Sequence, residues 1–276
     1  MLQLNAAIPD SLHATLEART KQTGRGVSSI VTTALAQYLE HPLHTIFQVS
    51  TSGALVAGVY DQEVTVATLL QHGDFGLGTF TDLDGEMAVL DGKVYQIQGS
   101  GKVSEASPDA GAPFAVVTAF EADSETFIEQ VTSFADLEAK CDPHRGSANI
   151  FYALRLDGRF DSITTRAVNP PEAGAGLVDA SETQTEFTFD DIEGTLVGIW
   201  SPGFSSAFSV PGYHMHFLSA DRRHGGHVLK LKAERLRLRI ETLTDFHLVL
   251  PESESFLKAD LSHDTSQALA YAEQAH

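Results

Sequence analysis

The sequence is poor in cysteine and lacks long apolar segments. A single cysteine among 276 residues, Cys141, excludes an internal disulfide framework and favours a reducing compartment such as the cytoplasm. No apolar run approaches the roughly 18 residues that a membrane-spanning helix needs. The first residues, MLQLNAAIPD, lack the basic and apolar regions of a secretory signal. We therefore expect a cytoplasmic protein with no membrane partner.

Basic residues are also scarce, with 18 lysines and arginines against 37 aspartates and glutamates and a net charge of −19. This surplus of negative charge argues against nucleic-acid binding by the bulk of the chain. The charge is unevenly spread, because three basic and three acidic residues balance within residues 1–43. We therefore predict two domains, a small module over residues 1–42 and a larger domain over residues 43–276.

The small module has the pattern of a strand followed by two helices. Alternating apolar residues predict a short strand that ends before Pro9. A helix is predicted to begin at Pro9 and to end at Gly24. Ser28 is predicted to cap a second helix that ends before Pro42. The outward-facing strand residues would be Gln3, Asn5 and Ala7.

This module resembles the ribbon-helix-helix family, in which paired strands of a dimer lie in the DNA major groove. Glutamine and asparagine can read adenine, but the predicted ribbon has no arginine or lysine to neutralise phosphate. We therefore favour a dimerisation or tethering role, and DNA binding remains the alternative. The resemblance rests on Ile8-Pro9, Leu12 and Leu16, Thr23-Gly24-Arg25 and Ser28-Ser29-Ile30.

The larger domain alternates strand and turn patterns with short helical segments, which predicts an α/β fold with mixed and antiparallel sheets. Asp91-Gly92 and Asp157-Gly158 each predict the turn of a hairpin. Residues 54–60 are predicted to form a strand, residues 75–80 a glycine-rich bend and residues 127–140 a helix.

A histidine motif carries the most specific chemistry. Gly212–Phe217 is predicted to be a strand, so His214 and His216 share one face. His227 follows the turn signal Gly225-Gly226, and a hairpin would return it beside the first pair. Three neutral imidazoles suit Zn²⁺ and leave positions open for water or substrate. Read by spacing alone, the motif is equally compatible with a surface strand in a chain that has 12 histidines.

Several long motifs occur in order along residues 45–273: Gly73–Phe80, Leu83–Met87, Asp179–Glu182, Gly194–Gly198, Pro202–Phe204 and Gly212–His227. Through these segments, residues 45–273 resemble the alpha-acetolactate decarboxylase family. The resemblance implies a mixed β-sheet region and a C-terminal β-barrel-like region that carries zinc on His214, His216 and His227. It also implies that subunits pair, so we expect a homodimer or a higher even oligomer.

The implied reaction converts 2-acetolactate to acetoin and CO₂. Loss of CO₂ leaves an enediolate, and a zinc ion chelated by the ketone and hydroxyl oxygens would stabilise its charge. By resemblance Arg166 binds the substrate, which suits the planar recognition of a carboxylate by arginine. Glu86 and Glu273 match the active-site glutamates, which could transfer the proton. Thr79 is a further candidate for a hydrogen bond to substrate. The division of acid and base roles between the two glutamates stays open.

Two other functions use the same residues. A regulator could sense acetolactate or acetoin in this pocket and control a DNA-binding ribbon, without turnover. A zinc hydrolase could use three histidines and a nearby glutamate to activate water. The full set of histidines, glutamates and arginine favours the decarboxylase, because a sensor has no need of a proton donor.

Overall fold

The computed structural model describes residues 5–24, 26–39, 43–171, 176–182 and 184–273. The chain divides into two compact units, Met1–Leu43 and His44–His276. Within the described ranges, no helix has the length and apolar character needed to cross a membrane.

The N-terminal unit contains two helices, α1 (Asp10–Thr23) and α2 (Val27–Tyr38). Gly24 ends α1 in the left-handed conformation, with φ of 71°, and its N–H donates to the carbonyl of Thr20. The predicted cap at Ser28 is wrong, because α2 begins one residue earlier and Ser28 lies inside its first turn. Gln3 and Leu4 of the predicted strand lie outside the described residues, and residues 5–9 form no strand in the single chain. The strand therefore stays a prediction.

The larger unit is built mainly from strands. In chain order it contains β1 (Thr45–Val49), α3 (Ser52–Val56), β2 (Val64–Thr65), α4 (Val66–His72), β3 (Phe75–Thr79), β4 (Glu86–Leu90), β5 (Lys93–Ile97), β6 (Val103–Glu105), β7 (Gly111–Ala112), β8 (Phe114–Thr118), β9 (Ser124–Val131), α5 (Phe134–Cys141), β10 (Phe151–Ala167), α6 (Leu177–Glu182), β11 (Thr185–Ser201), β12 (Gly212–Ser219), β13 (Gly225–Leu243), β14 (Asp245–Val249), α7 (Glu254–Lys258) and α8 (Ser266–Glu273).

These strands form two main sheets. The first has seven short strands in the order β14-β1-β8-β3-β4-β5-β6, with β1 and β14 parallel and the other pairs antiparallel. The second has the order β10-β11-β12-β13-β9, all antiparallel, and β13 also pairs with β10. A mixed α/β fold with several sheets is confirmed. β10 pairs with β11, β11 with β12, β12 with β13, and β13 again with β10. The barrel-like region itself stays a prediction.

Both faces of the seven-stranded sheet are covered, which explains why β4 is buried along its whole length. Met87 and Val89 point into one apolar core with Phe47 and Leu69, whereas Leu90 points to the opposite face. That opposite core also contains residues of the five-stranded sheet, such as Val197 and Leu218. The candidate site borders this shared core, at the end of β4 where Glu86 begins the strand.

Several local predictions are wrong for identifiable reasons. Residues 151–167 form one continuous strand instead of a hairpin, because Gly158 marks a close approach between strands. A Cβ at Gly158 would lie 2.8 Å from the carbonyl oxygen of Arg235. Residues 75–79 are strand β3 and not a bend. Residues 127–140 are divided between β9 and α5, and residues 52–56 are a helix where a strand was predicted from residue 54.

The hairpin prediction at Asp91-Gly92 is correct. Both residues have positive φ, 53° and 74°, as a two-residue turn between β4 and β5 requires. The pairing runs from Leu90 opposite Lys93 to Glu86 opposite Ile97. This hairpin brings Glu86 to the end of the sheet that borders the site.

Candidate metal centre and active site

Strand pairing brings the three predicted histidines together. His214 and His216 lie on one face of β12, while Met215 and Phe217 of the same strand point into the core behind it. His227 is the direct cross-strand partner of His216. The three ring centroids lie 5.0 to 5.5 Å apart, and one nitrogen from each ring lies within 4.8 Å of the others. This spacing allows all three to bind one metal ion.

His216 is oriented by the other sheet. Its Nδ1 lies 2.7 Å from the backbone carbonyl of Met87 in β4, a contact in which the ring nitrogen is the donor. This tautomer leaves Nε2 with a free lone pair. Nε2 is buried and has no hydrogen-bond partner among the described residues. Metal-binding histidines are commonly arranged in this way, with one ring nitrogen donating to a carbonyl and the other free to bind the metal.

Burial keeps the three imidazoles neutral. Desolvation lowers the pKa of His214 and of His216 to about 3, helped by the positive charge of Arg166. Burial also lowers the pKa of His227 well below its usual value. Neutral imidazole is the form that binds a metal, so these histidines fit a divalent cation without first losing a proton.

Arg166 lies beside this cluster on β10, directly opposite His227. One side-chain contact is fixed, since its Nη1 donates to Gln184 Oε1 at 2.9 Å. Its Nε is buried and has no hydrogen-bond partner in the described part of the chain. Leu229, two residues after His227, has no partner in β10, so β13 forms a β-bulge next to the site. A positive, buried and incompletely paired guanidinium suits the binding of an anion.

Glu273 enters from neither sheet. It is the last described residue of α8, and its Oε2 lies 3.6 Å from His214 Nε2 and 3.5 Å from His227 Nε2. The same oxygen lies 3.9 Å from Arg166 Nη2. Burial raises the pKa of Glu273 above its ordinary value, and Arg166 opposes this shift. The carboxylate therefore faces the histidine cluster and can approach the same metal ion.

Glu86 reaches the cluster from the seven-stranded sheet, at the start of β4. Its Oε2 is 3.6 Å from His216 Nε2, and its side chain is almost completely buried. Burial raises the pKa of Glu86 to about 7, although Arg166 and a hydrogen bond from the backbone of Val168 oppose the shift. A carboxyl group of this kind can exchange a proton near neutral pH.

Thr79 is buried in β3 as the cross-strand partner of Glu86. Its hydroxyl donates to the backbone carbonyl of Gly85 at 2.8 Å. The hydroxyl hydrogen of Thr79 is therefore already used within the protein, and only the oxygen lone pairs remain available to accept a hydrogen bond.

One cavity of about 50 Å³ is lined by most of these groups, namely Thr79, Glu86, Arg166, His214, His227 and Glu273. The remaining lining is mostly apolar and comes from the seven-stranded sheet, from α3, α6 and α8, and from connecting segments. Such a pocket restricts water around a few polar groups. Sequence reasoning did not identify Gln184 or the Met87 carbonyl, because neither has a motif and each acts through a contact distant in sequence. The apolar residues of the lining are Leu55, Leu83, Phe114, Val168, Leu177, Val210, Leu269 and Ala272.

Two other chemistry-bearing residues lie outside the cluster. His224 packs against Phe189, with ring centroids 4.6 Å apart, in the turn before β13. Cys141 is buried at the end of α5, and burial raises the pKa of its thiol to about 12. A thiol with so high a pKa is a poor nucleophile.

Comparisons with known proteins agree with this geometry. The alpha-acetolactate decarboxylase family model matches residues 46–263. The alpha-acetolactate decarboxylase of Methylococcus capsulatus is 40% identical over 245 residues, which are 85% of this chain and 92% of that protein. That of Methanosarcina mazei is 40% identical over 230 residues, 83% of this chain and 80% of its own length.

Among solved structures, the alpha-acetolactate decarboxylase of Bacillus subtilis strain 168 superposes with a TM-score of 0.81 at 33% identity. The match covers 84% of this chain and 100% of that one. The chain therefore belongs to the alpha-acetolactate decarboxylase family, a family of carboxy-lyases.

Proposed function

We propose that this chain converts 2-acetolactate to acetoin and CO₂ in the cavity beside the histidine cluster. One observation carries the proposal. Groups from two sheets and a C-terminal helix converge on one small cavity, and they are the groups that a decarboxylation requires. They are His214, His227, Arg166, Glu86 and Glu273, with His216 beside them in the histidine cluster.

Zinc is the metal that best fits these donors. Three neutral imidazole nitrogens within 4.8 Å of one another would hold the ion, with the carboxylate of Glu273 beside them. The buried and unpartnered Nε2 of His216 supports this assignment. When bound, zinc supplies Lewis-acid stabilisation of the negative charge that develops on substrate oxygens as CO₂ leaves.

Arg166 is suited to bind the substrate carboxylate. Gln184 holds one end of its guanidinium, while the buried Nε has no partner among the described residues. A planar guanidinium can donate two parallel hydrogen bonds to a carboxylate and so fix its orientation. The apolar walls at Leu55, Val168 and Leu269 suit the two methyl groups of acetolactate. Departure of neutral CO₂ would then break the ion pair with Arg166.

The reaction consumes one proton, which must reach the carbon that loses CO₂. Glu86 and Glu273 lie beside different histidines of the cluster, 3.6 Å from His216 and from His214 respectively. Delivery from one side alone would set the stereochemistry of the product. We assign the transfer to Glu86, which lies deeper in the protein, and assign Glu273 to the metal and Arg166.

The direct test is the formation of acetoin from 2-acetolactate by the purified protein, with its zinc content measured in the same sample. We expect turnover that is lost after chelation and recovered on addition of zinc. An absence of acetoin at full zinc occupancy would contradict the proposal. Turnover that survives complete removal of the metal would contradict the role of the histidine cluster.

We also propose that residues 1–42 are a dimerisation module. No residue of α1 is buried within the chain, and Leu12 is 53% exposed. In α2, Leu35 and Tyr38 are exposed as well. A unit of this size cannot bury an apolar core alone, and a second copy would cover these side chains. Its balanced charge permits such a contact, although the rest of the chain is strongly acidic.

Sedimentation of the full chain tests this module. Changing Leu12→Glu with Leu35→Glu should reduce the mass of the assembly about twofold, because charge is placed in the apolar contact. The control adds the same charge at exposed polar neighbours, His13→Glu with Thr32→Glu, and should leave the mass unchanged. An unchanged mass for both variants would contradict dimerisation. Salt-dependent binding of a DNA duplex would favour the alternative role.

A further inference from the structure

The turn that leads into Glu86 has an unusual backbone. Asp82 and Leu83 both adopt left-handed φ values, 60° and 52°, although neither is glycine. Side chains disfavour this region, so the surrounding structure must hold the turn in place. Leu83 is buried and lines the cavity, which links the shape of the turn directly to the site.

Gly85, the residue before Glu86, is held on two sides. Its φ is 91°, and a Cβ there would lie 2.3 Å from the carbonyl oxygen of Ile97 in β5. The hydroxyl of Thr79 donates to its carbonyl from β3 at 2.8 Å. The backbone entering Glu86 is therefore confined between two strands.

Asp84 connects the same turn to β5 through its side chain. Its Oδ2 accepts hydrogen bonds from Gln96 Nε2 and Gln98 Nε2, each at 3.0 Å. Gln96 Nε2 also donates to the backbone carbonyl of Asp84 at 2.7 Å. Hydrogen bonds to a carboxylate are stronger than those between neutral groups. This set of contacts, the Asp84 clamp, consists of Asp84, Gln96 and Gln98.

We propose that Asp84 is a positioning residue for the decarboxylation, acting through the Asp84 clamp. The clamp holds the strained turn so that the carboxyl group of Glu86 stays in the cavity beside His216. Asp84 does not line the cavity and so has no part in binding substrate. The inference rests on the proposed function in one respect, that Glu86 transfers a proton to the substrate.

Position matters for this step because proton transfer requires hydrogen-bond distance between the carboxyl group and the reacting carbon. A displacement of about 1 Å in a reacting group can lower a rate about 100-fold. The loss of the clamp should therefore lower kcat while the binding of substrate by Arg166 persists. The metal site should also persist, because the histidines belong to the other sheet.

The variant Asp84→Ala tests this, with Asp91→Asn as the matched control. Asp91 lies at the other end of β4, has a left-handed backbone that asparagine tolerates, and forms an ion pair with Arg155. For Asp84→Ala we expect kcat for acetolactate to fall about 10- to 100-fold, with KM nearly constant and zinc content unchanged. For Asp91→Asn we expect the parental values.

A double variant provides the rescue. Asp84→Asn with Gln98→Glu exchanges the donor and the acceptor while keeping the net charge, so the contact with β5 can form again. We expect kcat within about threefold of the parent. If Asp84 had a purely structural role, the double variant would recover stability without recovering kcat.

Hydrogen exchange of residues 81–90 gives a readout that does not depend on activity. Exchange should become faster in Asp84→Ala and remain parental in Asp91→Asn. Unchanged exchange, or a kcat within about twofold of the parent, would overturn the proposal. A parent protein that makes no acetoin would contradict the proposed function instead. In that case the exchange comparison would still decide whether the clamp holds the turn.

Discussion

The two sheets contribute different parts of the site and secure them in different ways. The five-stranded sheet provides His214, His216, His227 and Arg166 on paired strands, with His227 directly opposite both His216 and Arg166. The seven-stranded sheet provides Glu86 at the end of a strained turn. Strand register alone brings the first group together. The second depends on that turn and on the packing of one sheet against the other.

A hydrogen bond joins the histidine cluster to the strand that carries Glu86. His216 Nδ1 donates to the carbonyl of Met87, the residue next to Glu86. His216, a proposed metal ligand, is therefore held by the residue that follows Glu86, the proposed proton donor, in β4. Because the histidines and Glu86 belong to different sheets, metal binding and proton transfer should be separable by mutation, although Glu86 Oε2 lies 3.6 Å from His216 Nε2. The following predictions test this separation.

The largest effect is expected for His216→Ala in the five-stranded sheet. Removal of a ligand should abolish tight zinc binding and lower kcat/KM by about a thousandfold or more, which exceeds the loss typical of outer contacts. Metal analysis and acetoin formation check this. His224→Ala, in the turn before β13, is the control and should keep both zinc and activity. Full zinc occupancy in His216→Ala would refute the assignment of this ligand.

A smaller loss is expected for Glu86→Gln in the seven-stranded sheet. The amide keeps the shape of the side chain but cannot deliver the proton, so kcat should fall about 100-fold. Zinc content should remain at the parental level, in contrast to His216→Ala. Loss of zinc in this variant would show that the two sheets do not act separately. A kcat equal to that of the parent would exclude Glu86 as the proton donor.

Glu241 in β13 should affect stability as a function of pH. Its side chain is fully buried, and desolvation raises its pKa to about 8 from an ordinary value of 4.5. Between these values the unfolded chain releases the proton while the folded chain keeps it. The stabilising contribution is therefore complete below pH 4.5 and is lost as the pH rises to about 8.

Glu241→Gln cannot ionise and should remove this pH dependence. The difference in free energy of unfolding between Glu241→Gln and the parent should shift in favour of the variant between pH 5 and pH 8, by on the order of 2 kcal/mol. Denaturant unfolding at several pH values measures this. A difference that is constant with pH would exclude the raised pKa. Activity at neutral pH should change little, because Glu241 does not line the cavity.

The smallest effect is expected at the exposed end of the β4–β5 hairpin. Asp91→Asn removes an ion pair with Arg155, and an exposed pair of this kind contributes about 0 to 1 kcal/mol. Asparagine also tolerates the left-handed backbone of this turn. Thermal unfolding should therefore shift only slightly. A large loss of stability would show that this end of the hairpin is as tightly constrained as the end that carries Glu86.

Local patterns predicted the elements whose signals lie close together in sequence. The Asp91-Gly92 turn and the strand that carries His214 and His216 were predicted because backbone conformation and side-chain alternation are local. The prediction failed at Gly158 and in residues 127–140. There glycine marks a close approach between strands, and an apolar pattern fits a half-buried strand as well as a helix.

The sequence by itself determined the family, the histidine triad and the candidate residues around it, because long motifs in a fixed order specify a common fold. It also determined that His214 and His216 share a face, because side chains alternate along any strand. Only the tertiary structure decided that Glu86 and Glu273 approach different histidines of the cluster, that Gln184 orients Arg166 and that the Met87 carbonyl orients His216. These contacts join residues far apart in sequence, and their geometry follows from sheet packing, which no local pattern records.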